Sequence, residues 1–268
     1  MEKNDLDFPR KIICLTEESV EILYRLGQED RICGVSSFVK RPEQAKSKPA
    51  VSLFTSSNYK KINKLSPDFI IGHSDIQKDI AKDLIEQGHN VYIANHRSIN
   101  QIKDYVLFLG RLVGEDQKTQ ALIAELENKI TEAKAFADQL KHKPLVYFEE
   151  WDDPMICSIK WVAELIEICG GINIFKDREN GLLAKQRFAT SEEVIGRNPD
   201  IIFCCWCGKK ARLDKVKARE NWESINAITN NQVFELPPEI FLQPGVAPIL
   251  DGINILIEHF REWNEKVR

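Results

Sequence analysis

A long helical pattern over residues 98–140 constrains the fold of this chain more than any other feature of its sequence. Apolar residues recur there at spacings of three and four, which is typical of the buried face of an α-helix. The pattern predicts either one bent helix or two helices with a break near Gly114, and Pro144 lies just beyond its end. It divides the 268-residue chain into an N-terminal and a C-terminal part.

Short apolar runs alternate with helical patterns on both sides of this long helix. The runs that predict strands are 11–15, 31–35, 68–72, 90–94, 145–148, 200–205 and 232–236. Further predicted helices include 75–87, 160–169, 191–197 and 246–263. Because this alternation is typical of parallel sheets flanked by helices, we predict an α/β protein with two Rossmann-like α/β lobes. The predicted domains are an N-terminal α/β lobe at 1–97, a long rigid backbone helix at 98–142 and a C-terminal α/β lobe at 143–268.

A weak internal repeat supports two related lobes. Residues 62–71 and 194–203 both read as a short helix, a basic residue, Pro-Asp and a buried strand. Residues 20–27 and 162–170 both read as a helix that ends at glycine before a strand. Since both pairs occur in the same order, they favour duplication of one lobe over chance recurrence of a common local structure.

Composition argues against several classes of protein. The formal net charge of −4 does not indicate binding to nucleic acid, and no apolar run of about 18 residues predicts a membrane span. Residues 1–7 lack the basic and apolar regions of a secretory signal, and several of the seven cysteines lie in apolar runs. We therefore expect reduced thiols and a cytoplasmic location, or a periplasmic or surface-anchored one if the chain is a processed form.

Four stretches carry the clearest motifs. They are KIICLT, EILYRLG and DRICGVS within 11–36, the segment 58–71 with its Leu-Ser-Pro-Asp, AELIEICGGINIF at 163–175, and 222–245 with its final Pro-Gly. In this order they resemble the helical-backbone (class III) family of substrate-binding proteins, which serve importers of cobalamin, iron-siderophores and haem. Within that family, EEWDDP at 149–154 and WVAEL at 161–165 are most similar to the cobalamin-binding branch.

The resemblance implies a ligand cleft between two α/β lobes, a rigid helical connection and no catalysis. It also implies docking to an ABC permease through one surface acid on each lobe. At the two positions related by the internal repeat, Glu192 keeps the acid, whereas Lys60 reverses the charge. The implied partners are a small-molecule metal chelate and, subject to the departure at Lys60, a membrane permease.

A site for a corrinoid needs aromatic walls and a few amide or basic groups, because this large flat chelate has apolar faces and an amide-rich rim. Side chains of these types occur in predicted strand-to-helix loops. The candidates are Phe38, Phe54, Tyr59, His73, Trp151, Trp161, Arg187, Trp206, Phe241 and Gln243. The resemblance implies aromatic contact positions at Phe54 and His73, and it puts Arg41 where tyrosine is usual and Gln243 where arginine is frequent.

His73 is the sharpest candidate for contact with a metal. A neutral imidazole can serve as the axial ligand to the cobalt or iron of a bound chelate. The alternative is a hydrogen-bonding loop histidine. The remaining histidines fall at turns or helix ends and are predicted to lie on the surface; they are His89, His96, His142 and His259.

Three thiols fall within four residues, at Cys204, Cys205 and Cys207. Their number suits a soft metal, but adjacent side chains of a strand point to opposite faces, so buried strand thiols are the simpler prediction. The basic residues from Lys209 to Arg219 predict a solvated helix face, and Trp222 is predicted to lie in the core.

These observations predict a solute-binding protein that captures a cobalamin-like corrinoid, without catalysis and without an intrinsic cofactor. The alternative is an iron-siderophore or haem-binding component of an ABC importer. Cations for an anionic siderophore are available at Lys40, Arg41, Arg187, Lys209 and Lys210. A thiol- or metal-dependent enzyme is the second alternative, although the sequence contains neither a Gly-rich phosphate loop nor a recognisable nucleophile motif.

Overall fold

A computed structural model describes residues 8–267 of the chain. The N-terminal residues 1–7, on which the expected location partly depends, lie outside the described residues. The strands are β1 Ile12–Cys14, β2 Ile32–Ser36, β3 Ala50–Ser52, β4 Phe69–His73, β5 Val91–Ala94, β6 Leu145–Asp152, β7 Met155–Cys157, β8 Ile172–Asn173, β9 Ile201–Cys204 and β10 Val233–Glu235. The predicted α/β class is confirmed.

The helices cover most of the segments that the sequence predicts. They are α1 Glu17–Arg25, α2 Tyr59–Leu65, α3 Lys78–Glu86, α4 Ile99–Val113, α5 Asp116–Ala137, α6 Lys160–Ile168, α7 Ser191–Arg197, α8 Leu213–Lys217, α9 Asn226–Thr229, α10 Pro238–Phe241 and α11 Ile253–Lys266. A π-helical turn, Pro248–Gly252, precedes α11, so the predicted C-terminal helix consists of two geometries.

The long helical pattern forms two helices, α4 and α5, rather than one. Gly114 adopts φ +74°, a left-handed conformation that glycine tolerates and that ends α4. The two helices pack closely near the break, since a Cβ on Gly110 would clash with the side chain of Thr119. Of the two predicted arrangements, the one with a break near Gly114 is therefore correct.

The chain divides into two compact units. The first contains the described residues up to His96 and the segment Asn100–Glu125, and the second contains Arg97–Ile99 and the residues from Leu126 onward. The division falls inside α5, so each unit includes part of the long helical region. The three-part division predicted from the sequence stays a prediction.

The sheet of the first unit is parallel throughout, with strand order β3-β2-β1-β4-β5. The chain adds β2 and β3 on one side of β1 and then returns to place β4 on the other side. The position between β1 and β4 is therefore the topological switch point, where the loops at the carboxyl ends of parallel strands diverge and leave room for a ligand.

The sheet of the second unit is mixed, because β6 pairs with parallel and with antiparallel neighbouring strands. β9 and β8 pair with β6 in parallel, β10 pairs with β9 in parallel, and β7 pairs with β6 antiparallel. The sequence missed β3, β7 and β8, which have only two or three residues each and carry no periodicity of their own. It also ended β6 at Phe148, whereas pairing with β7 extends this strand to Asp152.

The predicted repeat corresponds to the same local structure in both units. α2 and α7 each end at a left-handed residue, Ser66 with φ 50° and Asn198 with φ 43°. The following aspartates both accept hydrogen bonds from the backbone at the start of a neighbouring strand, Asp68 from Lys11 N at 3.0 Å and Asp200 from Leu145 N at 2.9 Å. The Pro-Asp motif thus fixes the beginning of a strand in each sheet.

Candidate ligand-binding site

The carboxyl edge of the first sheet carries a row of candidate residues. Phe54 and Phe38 follow β3 and β2, α1 follows β1, His73 ends β4, and His96 follows β5. Because the strand order is β3-β2-β1-β4-β5, aromatic rings lie at one end of this row and imidazoles at the other. The topological switch point falls between them.

The aromatic end of the row is a stacked pair of rings. The centroids of Phe38 and Phe54 lie 4.6 Å apart with an interplanar angle of 13°, and both side chains are only half-buried. Phe54 lies in a tight turn closed by Leu53 N donating to Ser56 O at 2.8 Å. The pair therefore presents a flat apolar surface of the kind that a planar ligand can cover.

The imidazole end contains two histidines in contact. The ring centroids of His73 and His96 lie 4.7 Å apart, and His96 also stacks on Tyr105 with centroids 4.5 Å apart. The surface prediction for His96 is wrong, because its side chain is 7% exposed. Its position directly after an apolar strand was a usable signal, since residues at the carboxyl ends of parallel strands converge.

Gln77 joins the two ends of the row, and sequence reasoning missed it. Its Oε1 accepts a hydrogen bond from His73 N at 2.9 Å, while its Nε2 donates to Leu15 O at 3.3 Å and to Phe54 O at 3.4 Å. The side chain is fully enclosed, and a Cβ on Gly72 would lie 2.5 Å from its Oε1. One buried amide thus fixes the turn that carries Phe54 relative to the strand that carries His73.

A buried carboxyl group lies at the switch point. Glu18 is 2% exposed, and its Oε1 accepts a hydrogen bond from Thr16 Oγ1 at 2.5 Å. Among the described residues, neither its Oε2 nor the buried hydroxyl of Tyr105 has a hydrogen-bond partner. Burial raises the pKa of Glu18 to about 7, so this carboxyl changes charge close to neutral pH.

Arg41 lies apart from this row. Its Nη2 is 3.1 Å from Glu21 Oε1, in a groove of about 890 Å³ that also includes Arg25, Lys40 and Glu43. Opposite charges are mixed along this groove, which reduces its attraction for an anion. Phe38 and Phe54 are not among the described residues that line the groove of Arg41.

In the second unit, Trp151 and Trp206 share a lysine. Trp151 belongs to β6 and not to a loop, and Trp206 follows β9 by two residues. Lys209 Nζ lies 3.9 Å from the centroid of the Trp151 ring and 5.0 Å from the centroid of a Trp206 ring. The same ammonium forms an ion pair with Asp152 Oδ1 at 2.5 Å. The ammonium thus covers one face of Trp151, the more exposed of the two rings.

Arg187 is buried and paired. Its guanidinium forms an ion pair with Glu150, and its Nη1 donates to Cys157 O at 2.6 Å. The side chain is 3% exposed. A bound anion would therefore compete with Glu150 for this charge.

The remaining predicted contacts of the second unit lie deeper. Trp161 Nε1 donates to Phe241 O at 2.8 Å, and both rings are buried. Gln243 is half-buried two residues further on. Trp161 thus holds the loop that leads to Gln243, and ligand contact by these three residues stays a prediction.

A buried ion pair supports Trp206, which is a correction to the predicted solvated basic face. Arg219 donates to both carboxylate oxygens of Glu149, at 2.5 and 2.9 Å. Glu149 also accepts from Tyr147 OH at 3.0 Å and from Trp206 Nε1 at 3.2 Å. Arg219 is therefore a structural cation, and α8 covers only part of the basic run.

The structure shows the positions of the three clustered thiols and of Trp222, which was predicted to lie in the core. Cys204 and Cys205 are buried, and burial raises the pKa of both, whereas Cys207 is exposed. Within residues 8–267, no cluster of three or more His, Cys, Asp or Glu side chains is arranged to hold a metal ion. Trp222 is fully buried, as predicted.

His259 is the second histidine whose surface prediction is wrong. It is half-buried, and its ring packs against Phe203 and Phe234, with centroids 5.2 and 4.3 Å apart. Burial lowers the pKa of its imidazole. It belongs to the packing of α11 on the second sheet and not to the candidate site.

The two predicted docking positions occupy equivalent places in the two units. Lys60 is the second residue of α2 and Glu192 is the second residue of α7, and both are exposed. Neither forms an ion pair with another described residue, whereas the third residues are engaged: Lys61 Nζ donates to Ala50 O, and Glu193 pairs with Arg178. Backbone and Thr190 hydrogen bonds lower the pKa of Glu192, which therefore stays ionised.

Comparison with known proteins identifies the family. A family model described as periplasmic binding protein matches residues 12–240. The chain belongs to this family. The family comprises substrate-binding proteins, and the absence of catalysis in this chain stays a prediction.

Individual relatives are distant but cover nearly the whole chain. A "Vitamin B12-binding protein" of Vibrio campbellii is 26% identical over 96% of this chain and 91% of its own length. An "Uncharacterized ABC transporter substrate-binding lipoprotein YvrC" of Bacillus subtilis is 24% identical over 93% of this chain and 79% of its own length. The structure of "Periplasmic heme-binding protein RhuT" from Roseiflexus sp. RS-1 superposes with a TM-score of 0.80 at 20% identity, covering 95% of this chain and 99% of that one.

These relatives bear on the expected location. Their names describe a lipoprotein and a periplasmic protein, so they do not support the predicted cytoplasmic location. In the part of the chain that the structure describes, no helix is both long enough and apolar enough to cross a membrane.

Proposed function

We propose that this chain captures a corrinoid, cobalamin or a close relative of it, and delivers it to an ABC permease. The observation that carries this proposal is the row on the first sheet, in which Gln77 joins the stacked Phe38–Phe54 pair to His73. A flat apolar surface and an imidazole in one row suit a planar ring that contains a metal.

The rim of the ligand provides the second argument. Corrinoids carry mainly neutral amides at the rim, whereas many siderophores and porphyrins carry carboxylates. Three of the five basic candidates are already paired, Arg187 with Glu150, Lys209 with Asp152 and Arg41 with Glu21. A neutral rim avoids competition with these carboxylates, which favours a corrinoid over an anionic siderophore. The relative named as vitamin B12-binding agrees with this choice.

Haem is the second candidate, and a specific observation favours it. His73 and His96 lie in ring contact, and imidazole is a common ligand of haem iron. The structural relative from Roseiflexus is named as a heme-binding protein. His73 is assigned as the axial ligand in either case, and His96 as the group that orients it.

One titration series tests the proposed ligand. Cyanocobalamin, cobinamide, hemin and a ferric siderophore are added separately, and the thermal unfolding and visible spectrum are recorded. A ligand at a hundred times its dissociation constant stabilises the protein by about 2.7 kcal/mol. We expect this effect with the corrinoids; stabilisation by hemin alone would replace the corrinoid proposal with the haem one.

Two variants assign the binding to the row. Phe54→Ala removes one of the stacked rings, and we expect it to weaken corrinoid binding by about tenfold, since it removes aromatic contact area. Phe188→Ala is the matched control, because Phe188 is 43% exposed and lies in the second unit outside the candidate residues. Equal weakening by both changes would contradict the assignment.

We further propose that Glu192 contacts the permease. Its exposure and its ionised state support this role. Charge reversal by Glu192→Lys is expected to weaken association with the permease at low salt, while Glu220→Lys, at another exposed acid, leaves it unchanged. Retained association in the Glu192 variant would remove this role.

A further inference from the structure

A hydroxyl-rich groove lies along the outer strand of the first sheet, beside the proposed ring contacts. It has a volume of about 540 Å³ and runs between β3 and the beginning of α2. Serine hydroxyls line it from Ser37, Ser56 and Ser57, and Lys60 supplies an ammonium group. No acidic side chain is among the described residues that line it.

These polar groups are available to a ligand. Ser57 Oγ is buried and has no hydrogen-bond partner among residues 8–267. Lys60 is exposed in the first turn of α2 and forms no ion pair with another residue that the structure describes. Its neighbours are occupied, since Tyr59 OH donates to Asp83 at 2.6 Å and Lys61 Nζ donates to Ala50 O at 2.7 Å. The Ser57 hydroxyl lacks a hydrogen-bond partner, which an acceptor on a ligand can supply, and the Lys60 ammonium favours an acceptor with negative charge.

The combination of donors indicates a phosphate ester. Hydroxyl and ammonium donors around a cavity without carboxylates suit the non-bridging oxygens of a phosphodiester, which accept several hydrogen bonds at once. The volume lies within the range of about 300–1,000 Å³ that is typical of small-molecule sites. It exceeds what a bare phosphate fills, so the sugar or base attached to the phosphate also has room.

The groove adjoins the aromatic end of the row. Ser37 immediately precedes Phe38, and Leu53, which also lines the groove, immediately precedes Phe54. A ligand whose ring covers the Phe38–Phe54 pair can therefore extend a side arm into the groove. We propose that this groove binds the phosphodiester of the nucleotide loop of a complete corrinoid, an inference that rests on the proposed function.

The test compares two corrinoids that differ in this loop. Cyanocobalamin carries the phosphodiester-linked nucleotide, and dicyanocobinamide lacks it. Their dissociation constants are measured by calorimetry for the wild type, Lys60→Met and Ser57→Ala, with Lys64→Met as the control. Lys64 is an exposed lysine of the same helix that does not line the groove.

We expect Lys60→Met to lose the preference for cyanocobalamin over cobinamide while it still binds the corrin ring. The wild type should prefer cyanocobalamin by about tenfold, and Lys60→Met should reduce this preference by about fivefold while leaving the cobinamide affinity unchanged. The preference should also decline with added salt, because the Lys60 ammonium is exposed. Lys64→Met should retain the full preference.

Other outcomes would overturn the proposal in distinguishable ways. Equal affinity for both corrinoids in the wild type would reject the groove and leave the proposed function intact. Absence of binding to either corrinoid would reject both. Inorganic phosphate that binds alone, with a dissociation constant below that of cobinamide, would make the groove a site for free phosphate instead.

Discussion

Each unit contains a buried glutamate near the end of its first strand, Glu18 just after β1 and Glu149 in β6, and only Glu149 is paired with a cation. Glu149 of the second unit is enclosed by Arg219, Tyr147 and Trp206, which together satisfy both carboxylate oxygens. The side chain of Glu18 in the first unit accepts one side-chain hydrogen bond, from Thr16, and forms no ion pair with another residue of the range 8–267. Similar sheet architecture therefore contains a compensated charge in one unit and an uncompensated one in the other.

The difference extends to the candidate ligand contacts. In the second unit, the cations near the strand ends are paired with acids, so their main effect is to hold Trp206 and the β6–β7 hairpin in place. In the first unit, the row consists of aromatic rings, imidazoles and an amide. Uncharged contacts in the first unit suit a chelate with a neutral rim. The paired charges of the second unit mainly stabilise the structure around Trp206 and the β6–β7 hairpin. We infer that ligand selectivity resides mainly in the first unit.

The largest expected effect comes from breaking the compensated pair. Glu149→Gln removes the charge that compensates the half-buried Arg219, and we expect the free energy of unfolding to fall by about 3 kcal/mol. Urea denaturation measures it. The control is Asp214→Asn, which breaks the exposed pair with Arg212 and should change the free energy of unfolding far less. Equal small losses in both variants would show that the buried pair contributes no more than a surface one.

The uncompensated Glu18 predicts that the stability of the protein depends on pH. The pKa of Glu18 is raised from 4.5 to about 7, so the folded chain binds a proton more tightly than the unfolded chain. The stability due to this proton is present in full below about pH 4.5 and is lost as pH rises to about 7. Glu18→Gln should therefore be more stable than the wild type at pH 8, by on the order of 2–3 kcal/mol.

Denaturation curves recorded between pH 4 and pH 8 test whether Glu18→Gln becomes more stable than the wild type as pH rises. The two proteins should have similar stability at the acidic end and diverge as pH rises. Glu43→Gln, at an exposed acid, serves as the control and should follow the wild type. A wild type that exceeds Glu18→Gln in stability at pH 8 would contradict the assignment of an uncompensated charge.

Gln77 tests whether the two ends of the row depend on each other. Gln77→Ala leaves two carbonyls and one N–H without their partner, and it should lower the free energy of unfolding by about 1–3 kcal/mol. Corrinoid affinity should fall as well, because the Phe54 turn is no longer fixed relative to His73. Gln87→Ala is the control at an exposed glutamine. Lower stability with unchanged affinity would show that Gln77 acts on folding alone.

Much of the fold was predictable because local sequence signals agree with it. α7 occupies the predicted residues, since Thr190 and Glu193 form a capping box at its start and Asn198 ends it. β3 and β7 were missed because three-residue strands gain their structure from pairing with a neighbour. The same pairing draws Trp151 out of its predicted loop and into β6.

The residue types of the candidate site could be predicted from the sequence, but the hydrogen-bond and ion-pair partners of these residues could not. Phe38, Phe54 and His73 were found because aromatic and imidazole side chains after apolar strands are visible in the sequence. The ion pair of Arg219 could not be predicted, since its partner Glu149 is 70 residues distant and only the fold brings them together. Gln77 was missed for a related reason: its importance lies in three backbone groups from separate segments.

The smallest effect concerns Lys209, the cation that covers the exposed tryptophan of the second unit. Lys209→Met removes a cation–π contact worth about 0.5–1 kcal/mol and uncovers one face of Trp151. If Trp151 stacks on the ligand, the variant should bind a corrinoid about twofold to fivefold more tightly, because the ring face no longer has to be vacated. Calorimetry measures this change, and Lys210→Met, at the adjacent exposed lysine, should bind as the wild type does. Unchanged or weaker binding by Lys209→Met would assign Trp151 to the frame, together with Trp206 and Arg219, and would confine the ring contacts to the first unit.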